Sequence, residues 1–192
     1  MKSIKKWFFF NPFNNTSIIA FNKLTNDVGV IFLNRSKKSE NQFIEIIRDF
    51  MISCIQKKIP FLINSSMLLA IKYNANGIFV DLNNEQALNS KRRLIFKKKR
   101  KKLIVASVIH NYSEMNIFNS LRLDMAFISP VFKTKTHRKM NPLSRFRFFD
   151  LCKKTKSNLY ALGGIDTKNF KKIKNKFLNG FGAINYFINN SH

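Results

Sequence analysis

Two adjacent glycines near the end of the chain have the residue types and position of an anion-binding turn. The segment Ala161-Leu162-Gly163-Gly164-Ile165 follows an apolar run and precedes a segment of helical character. Glycine lets the backbone approach a ligand closely, and backbone N–H groups at the start of a helix favour a negative charge. A lone glycine pair is also typical of a tight turn, so the interpretation depends on what accompanies it.

Two further segments have matching chemistry. Gly180-Phe181-Gly182-Ala183-Ile184 ends the last apolar run and leads into a short final helix. In barrels of alternating strands and helices, the loops after strands seven and eight, with a short extra helix, frequently bind phosphate. The third segment, Ser129–His137, offers the hydroxyls of Thr134 and Thr136 and the charges of Lys133 and Lys135. We therefore predict a phosphate site here, although a polar loop would also explain the third segment.

The elements that would position these segments are eight short apolar runs. Their apolar character is nearly continuous, which is typical of strands buried on both faces in a parallel sheet. The runs are Trp7–Phe10, Val28–Leu33, Ile59–Ile63, Gly77–Val80, Leu103–Val108, Met125–Ile128, Leu159–Leu162 and Phe181–Ile184.

Segments between the runs have helical spacing. Apolar residues recur every three or four positions in Asn41–Gln56 and Leu143–Cys152, and Asp166 is placed to cap a helix over Thr167–Phe177. Strand and helix alternating in this way predict a parallel α/β fold. A closed barrel and an open doubly wound sheet both fit this pattern.

Length and composition indicate a one-domain globular protein. The chain has 192 residues, of which 45% are hydrophobic. No apolar stretch approaches the roughly 18 residues that a membrane span needs, and the run Trp7–Phe10 is too short for a signal peptide. Cys54 and Cys152 show no metal or redox spacing. These features predict a cytoplasmic protein with reduced thiols and no membrane association.

The charge is strongly positive: 35 basic and 10 acidic residues give a net charge of +25. Such a field attracts nucleic acids and phosphorylated small molecules alike, but a genome rich in A and T would also raise the Lys content. Nine of the twelve residues in Lys91–Lys102 are basic. This run precedes a strand, which places it at the end of a barrel away from the active site. A solvated basic face is favoured there over a nucleic-acid patch.

Ser129–Thr136 and Ala161–Ile165 resemble the paired signatures of the thiamine-phosphate synthase and thiazole tautomerase superfamily, S/G-P-V-F-x-T-x-T and A-hydrophobic-G-G-I. Three other stretches resemble its motifs more loosely, and the similarity covers residues 28–187. These stretches are Arg35-Ser36-Lys37 (R-x-K), Ile63-Asn64 with Ala75-Asn76-Gly77 (I-N-D-R…G-A-D-G), and His110-Asn111 with Glu114 (H-S-x-x-E).

The resemblance implies a (βα)8 TIM barrel forming a single domain over residues 1–192. It also implies thiamine biosynthesis: hydroxymethylpyrimidine pyrophosphate condenses with thiazole phosphate, pyrophosphate leaves, and Mg²⁺ assists. Phosphorylated pyrimidine and thiazole molecules, rather than nucleic acid, would be the partners. By the motifs, the residues binding substrate or phosphate would be Arg35, Lys37, Asn64, Thr134, Lys135, Thr136, Gly163, Gly164, Gly182, Ala183 and Ile184.

The chain also departs from the family pattern. Ser65 and Ser66 stand where the family has the Asp and Arg that follow Asn64, and Phe79–Asn84 replaces H-x-G-Q-x-D. Of the ten acidic residues, Asp81 and Asp166 fall directly at the carboxyl ends of predicted strands, and Glu85 is a further candidate. Because Asp166 is an apparent helix cap, Asp81 is the predicted metal ligand.

Two residues are predicted to be catalytic. Ser107 is aligned with a family serine that contacts pyrophosphate, although one extra residue before His110 makes the alignment ambiguous. His137 takes the place of a family lysine on the phosphate loop, where it would contact phosphate or act as a base; an exposed loop side chain is the alternative. The tautomerase has a His where this chain has Pro130.

Three hypotheses follow. The first is a divergent thiamine-phosphate synthase. The second is a family member that binds a thiamine-related phosphate and has lost or changed its catalysis, or has a tautomerase-like role. The third is a basic protein associated with nucleic acid. The predicted phosphate loops favour the first two, and the motif at Ser129–Thr136 sides with the synthase.

Overall fold

Eight parallel strands close into one barrel in the computed structural model, which describes residues 4–34, 38–64, 66–82, 103–134 and 141–190. Each strand pairs with the next in the chain, and β8 pairs with β1. This closed pairing confirms the (βα)8 barrel and excludes the open sheet. The strands are β1 Lys6–Phe10, β2 Val28–Phe32, β3 Phe61–Ile63, β4 Gly77–Val80, β5 Ile104–Ile109, β6 Met125–Ile128, β7 Asn158–Leu162 and β8 Leu178–Ala183.

The helices of the described residues surround the strands. They are α1 Asn15–Asn22, α2 Glu40–Gln56, α3 Met67–Lys72, α4 Tyr112–Ser120, α5 Arg145–Lys154, α6 Thr167–Phe170 and α7 Asn185–Asn189. The predicted helix over Asn41–Gln56 is confirmed, and a capping box between Ser39 and Gln42 starts it. The helix predicted over Leu143–Cys152 begins two residues later, where Ser144 caps it.

The helix predicted over Thr167–Phe177 is too long, because α6 ends at Phe170. Its start is as predicted: the Asp166 carboxylate accepts hydrogen bonds from the N–H groups of Lys168 (2.8 Å) and Asn169 (2.7 Å). Further along, the Asn175 side chain accepts from Phe177 N and donates to Ile173 O. Side chains of this type compete with helical hydrogen bonds and turn the chain.

Strand side chains alternate between two apolar layers. Residues that point outward pack under the helices, whereas those that point inward fill the barrel. The barrel interior is largely aromatic and centres on Phe127, whose ring stacks on Tyr160 at 5.3 Å and meets Phe9 edge-on at 5.0 Å. Trp7 and Phe79 complete this aromatic interior.

Glycines make room for the aromatic interior and for close strand pairing. A Cβ at Gly182 would stand 2.5 Å from the Phe9 ring. A Cβ at Gly77 would overlap the backbone carbonyl oxygen of Ile104, a residue of the neighbouring strand β5. A flexible ring can shift, but a carbonyl held in a strand ladder cannot shift without breaking the pairing.

Both cysteines are buried and free, Cys54 in α2 and Cys152 in α5. Burial raises the pKa of each thiol to about 12, which suppresses the reactive thiolate.

Within the described ranges no helix has the length and apolar character to cross a membrane. The basic run Lys91–Lys102 lies outside the described residues, and the cytoplasmic location stays a prediction.

We expect Gly77→Ala to lower the free energy of unfolding by about 1–3 kcal/mol, the usual cost of overpacking. The cause is the overlap with the Ile104 carbonyl, which only a displaced strand can relieve. Urea denaturation would measure the change. Leu68→Ala, at an exposed position of α3, is the control and should alter stability by less than about 0.5 kcal/mol. Equal stabilities of the two variants would contradict the packing argument.

Candidate functional site

A cavity of about 580 Å³ opens at the carboxyl ends of the strands, where barrel active sites lie. The rings of Phe9 and Phe79, at the top of the aromatic interior, form its floor. Its wall comes from the residues that end or follow the strands on the inward face. These include Leu33, Asn64, Asp81, Val108, Ser129, Leu162 and Ile184, with His110, Thr134, Gly163, Gly164 and Ala183 beside them.

The loops after β6 and β7 are joined backbone to backbone. Val131 N donates to Leu162 O and Phe132 N donates to Gly163 O, both at 3.0 Å. Gly163 and Gly164 have φ angles of +97° and +64°, which side chains disfavour. A Cβ on Gly163 would lie 2.9 Å from Pro130 Cα. The two glycines are therefore required by backbone conformation and by loop contact, and both reach the cavity.

Unused backbone donors border the cavity in two places. Across the described ranges, the N–H groups of Gly163, Gly164 and Ile165 donate to no protein acceptor. The same holds for Ile184 and Asn185 at the start of α7, which also has no side-chain cap. N–H groups at such positions can satisfy an oxyanion. Both sets belong to segments predicted to bind phosphate.

Some of the residues predicted from sequence to bind phosphate lie together at the cavity. Thr134 lines the cavity with Lys133, and Ala183 and Ile184 line it from β8. Gly182 is not among the lining residues, and its lack of a side chain accommodates Phe9. The remaining predicted binding residues, Arg35, Lys37, Lys135 and Thr136, and the predicted catalytic His137 lie outside the described residues.

The third and fourth strands contribute polar groups to the opposite wall. Asn64 Nδ2 donates to Phe79 O at 2.8 Å, so the atom left for a ligand is Oδ1. Asp81 is exposed directly after β4. Among the described residues no three His, Cys, Asp or Glu side chains cluster as a metal site. Mg²⁺ often binds through one or two carboxylates plus substrate phosphates, so Asp81 alone meets the minimum for such a site.

Ser107 is turned away from the barrel interior by strand alternation. Along β5, Ala106 belongs to the interior layer, whereas Val105 and Ile109 belong to the outer layer. Ser107 lies on the same outward face of β5 as Val105 and Ile109. Its side chain is 1% exposed, and its Oγ donates to Val80 O at 2.7 Å. Ser107 is nevertheless among the residues that line the cavity, and Val108 takes the inward position of β5.

His110 lines the cavity and was not predicted as a site residue. Its Nδ1 lies 2.9 Å from Oε2 of Glu114, a carboxylate whose side chain is 7% exposed. The spacing of His110, Asn111 and Glu114 was the available signal, because Asn111 caps α4 and brings Glu114 back to the strand end. Sequence alone does not say that the resulting pair borders a cavity.

The fold is a (βα)8 barrel with a cavity at the carboxyl ends of its strands. The family model described as thiamine monophosphate synthase matches residues 16–186. The chain therefore belongs to this family.

Curated relatives and solved structures agree with the assignment. A thiamine-phosphate synthase of Syntrophomonas wolfei is 26% identical over 82% of this chain and 73% of its own length. One of Lysinibacillus sphaericus is 27% identical, over 60% of this chain and 53% of its own length. The structure of a thiamine phosphate pyrophosphorylase from Pyrococcus furiosus has 13% identity and a TM-score of 0.66, over 95% of this chain and 86% of that one, and supports the fold.

Ser107→Ala tests whether this serine supports the barrel or the reaction. We expect the free energy of unfolding to fall by about 1 kcal/mol, because the hydrogen bond to Val80 O is lost. Chemical denaturation would measure this, and calorimetry should show unchanged affinity for inorganic pyrophosphate. Unchanged stability together with a large loss of pyrophosphate affinity would instead assign Ser107 to the ligand.

Proposed function

We propose that this protein is a thiamine-phosphate synthase. It would join hydroxymethylpyrimidine pyrophosphate to thiazole phosphate. The bond between the pyrimidine methylene carbon and the pyrophosphate oxygen breaks, and pyrophosphate departs with the electron pair. The thiazole nitrogen supplies its lone pair to the same carbon, giving thiamine phosphate. Membership of the family supports this assignment at the level of reaction type.

The observation that carries the proposal is the convergence of two sets of backbone donors on one cavity. The N–H groups of Gly163 and Gly164 and those of Ile184 and Asn185 come from adjacent strand ends. Charge-neutral donors fixed by the fold bind a phosphate without reorganisation. The thiazole phosphate group would occupy this place, with the hydroxyl of Thr134 at its side.

The wall at β3 and β4 suits the other substrate. Asn64 is held by its bond to Phe79 O, and Asp81 follows the next strand. Mg²⁺, when bound, would be held by Asp81 and substrate phosphates and would neutralise charge on the leaving pyrophosphate. Arg35 and Lys37, which the family resemblance predicts to bind substrate or phosphate, would add positive charge. An aromatic floor of Phe9 and Phe79 suits a flat heterocycle.

A second function has one observation in its favour. Two carboxylates, Asp81 and Asp166, line the cavity, and Asp166 caps α6; among the described residues no three His, Cys, Asp or Glu side chains cluster as a metal site. A family member that binds a thiamine-related phosphate without turnover would need no more than this. A nucleic-acid role gains no support from the cavity, whose described lining includes one lysine, Lys133, and no arginine.

A turnover assay tests the proposal. Purified protein, hydroxymethylpyrimidine pyrophosphate, thiazole phosphate and Mg²⁺ should yield thiamine phosphate, measured by chromatography. Thr134→Val removes one hydroxyl at nearly constant volume. It should weaken the apparent affinity for thiazole phosphate about fivefold to tenfold, the usual worth of one hydrogen bond. Asp81→Asn should lower turnover and raise the Mg²⁺ concentration required.

Ser120→Ala, on the exposed end of α4, is the matched control and should behave like the unaltered protein. If no thiamine phosphate forms while both substrates bind by calorimetry, the non-catalytic function is correct. If neither substrate binds, both assignments are wrong.

A further inference from the structure

The loop between β5 and α4 holds a histidine and a carboxylate in a fixed relation, the His110–Glu114 dyad. Glu114 Oε2 accepts from His110 N at 2.7 Å and lies 2.9 Å from His110 Nδ1. Glu114 Oε1 accepts from Asn111 Nδ2 at 3.1 Å, and Asn111 Oδ1 accepts from Glu114 N at 2.9 Å. Four hydrogen bonds within five residues therefore lock the loop.

The His110–Glu114 dyad determines which nitrogen of the His110 imidazole can form a hydrogen bond with a ligand. In the neutral imidazole, a carboxylate beside Nδ1 favours the tautomer with hydrogen on Nδ1, and Nε2 is then an acceptor. The Glu114 side chain is 7% exposed, whereas that of His110 is 30% exposed and lines the cavity. Because Glu114 covers the Nδ1 edge, we expect the edge that faces away from Glu114 to be the one a ligand meets. Nε2 lies on that edge.

An acceptor at this place suits the ring of a ligand rather than its phosphate. Phosphate oxygens only accept hydrogen bonds, so they match the N–H groups of Gly163 and Ile184. β5 is separated from β8 by two strands, and its neighbour β4 lies opposite β8 in the ring. β4 also supplies Phe79, an aromatic surface on which a flat ring can rest. A ring carrying an N–H donor would satisfy both groups.

We propose that His110 recognises the aminopyrimidine ring of hydroxymethylpyrimidine pyrophosphate, with Nε2 accepting a hydrogen bond from the exocyclic amino group. Glu114 is the positioning residue that presents Nε2. This assignment rests on the proposed function and adds to it a residue that selects the pyrimidine substrate. The phosphate loops, by contrast, bind an anion whatever it is attached to.

Two substitutions separate recognition from support. His110→Asn retains an N–H donor near the position of Nδ1 and lacks any atom at Nε2, so the bond to Glu114 survives. His110→Gln places an amide oxygen near the position of Nε2. Binding of hydroxymethylpyrimidine pyrophosphate and of inorganic pyrophosphate to the full chain would be measured by calorimetry. Thermal unfolding would be recorded for each variant.

His110→Asn should weaken the binding of hydroxymethylpyrimidine pyrophosphate about tenfold, which is the upper end of the contribution of one neutral hydrogen bond. The affinity for inorganic pyrophosphate should not change. His110→Gln should recover part of the loss. As a single substitution, Glu114→Gln should weaken the binding of hydroxymethylpyrimidine pyrophosphate. Added to His110→Asn, it should cause no further loss of affinity, because the dyad acts through Nε2.

Unchanged pyrimidine affinity in His110→Asn would overturn the inference, and so would an equal loss for both ligands, which indicates a distorted cavity. The proposed function fails separately. If the unaltered protein binds inorganic pyrophosphate and not the pyrimidine ligand, the synthase assignment is wrong, and the role of His110 is overturned with it.

Discussion

The packing of Phe127 at the centre of the barrel is the constraint on which the rest of the structure depends. Its ring contacts Tyr160 face to face and Phe9 edge-on, and Phe79 and Trp7 lie against it. With these aromatic side chains the barrel is filled up to the level of the strand ends. A ligand can then enter only above this level, so the cavity is confined to the carboxyl ends of the strands. A chain with 21 Phe residues achieves this filling with rings where β-branched side chains are usual.

The second constraint is the backbone contact between the β6 and β7 loops. Val131 and Phe132 donate to the carbonyls of Leu162 and Gly163, so the two loops behave as one unit. This contact requires residues without side chains at Gly163 and Gly164. The same conformation leaves their N–H groups without acceptors in the part of the chain that the structure describes. The loop packing therefore presents donors to the cavity, and a bound anion would supply the missing acceptor.

Local sequence patterns were sufficient to predict the strands and helices. Tertiary contacts were needed to predict which side of a strand each side chain faces. All eight apolar runs became strands, because continuous apolar character has few alternatives in a short segment. The cap at Asp166 was predictable for the same local reason, whereas the early end of α6 depends on the turn at Asn175. Ser107 shows the limit. Its residue type suggested chemistry, but its position in β5 gives its side chain the outward face, which an ambiguous alignment with the family motif could not predict.

Charge and selectivity are separate properties of this protein. A net charge of +25 concentrates every phosphorylated molecule near the surface, and it does so without regard to what the phosphate is attached to. The backbone N–H donors at Gly163 and Ile184 would likewise contact only the phosphate group and would not distinguish what it is attached to. Discrimination must come from groups that meet the uncharged part of a ligand, and the cavity offers the floor at Phe79 and the imidazole of His110 for that purpose. Burying the Glu114 carboxylate costs desolvation, which its three hydrogen-bonded contacts with His110 and Asn111 offset. One of the ten acidic residues of this cationic protein therefore orients the imidazole of His110.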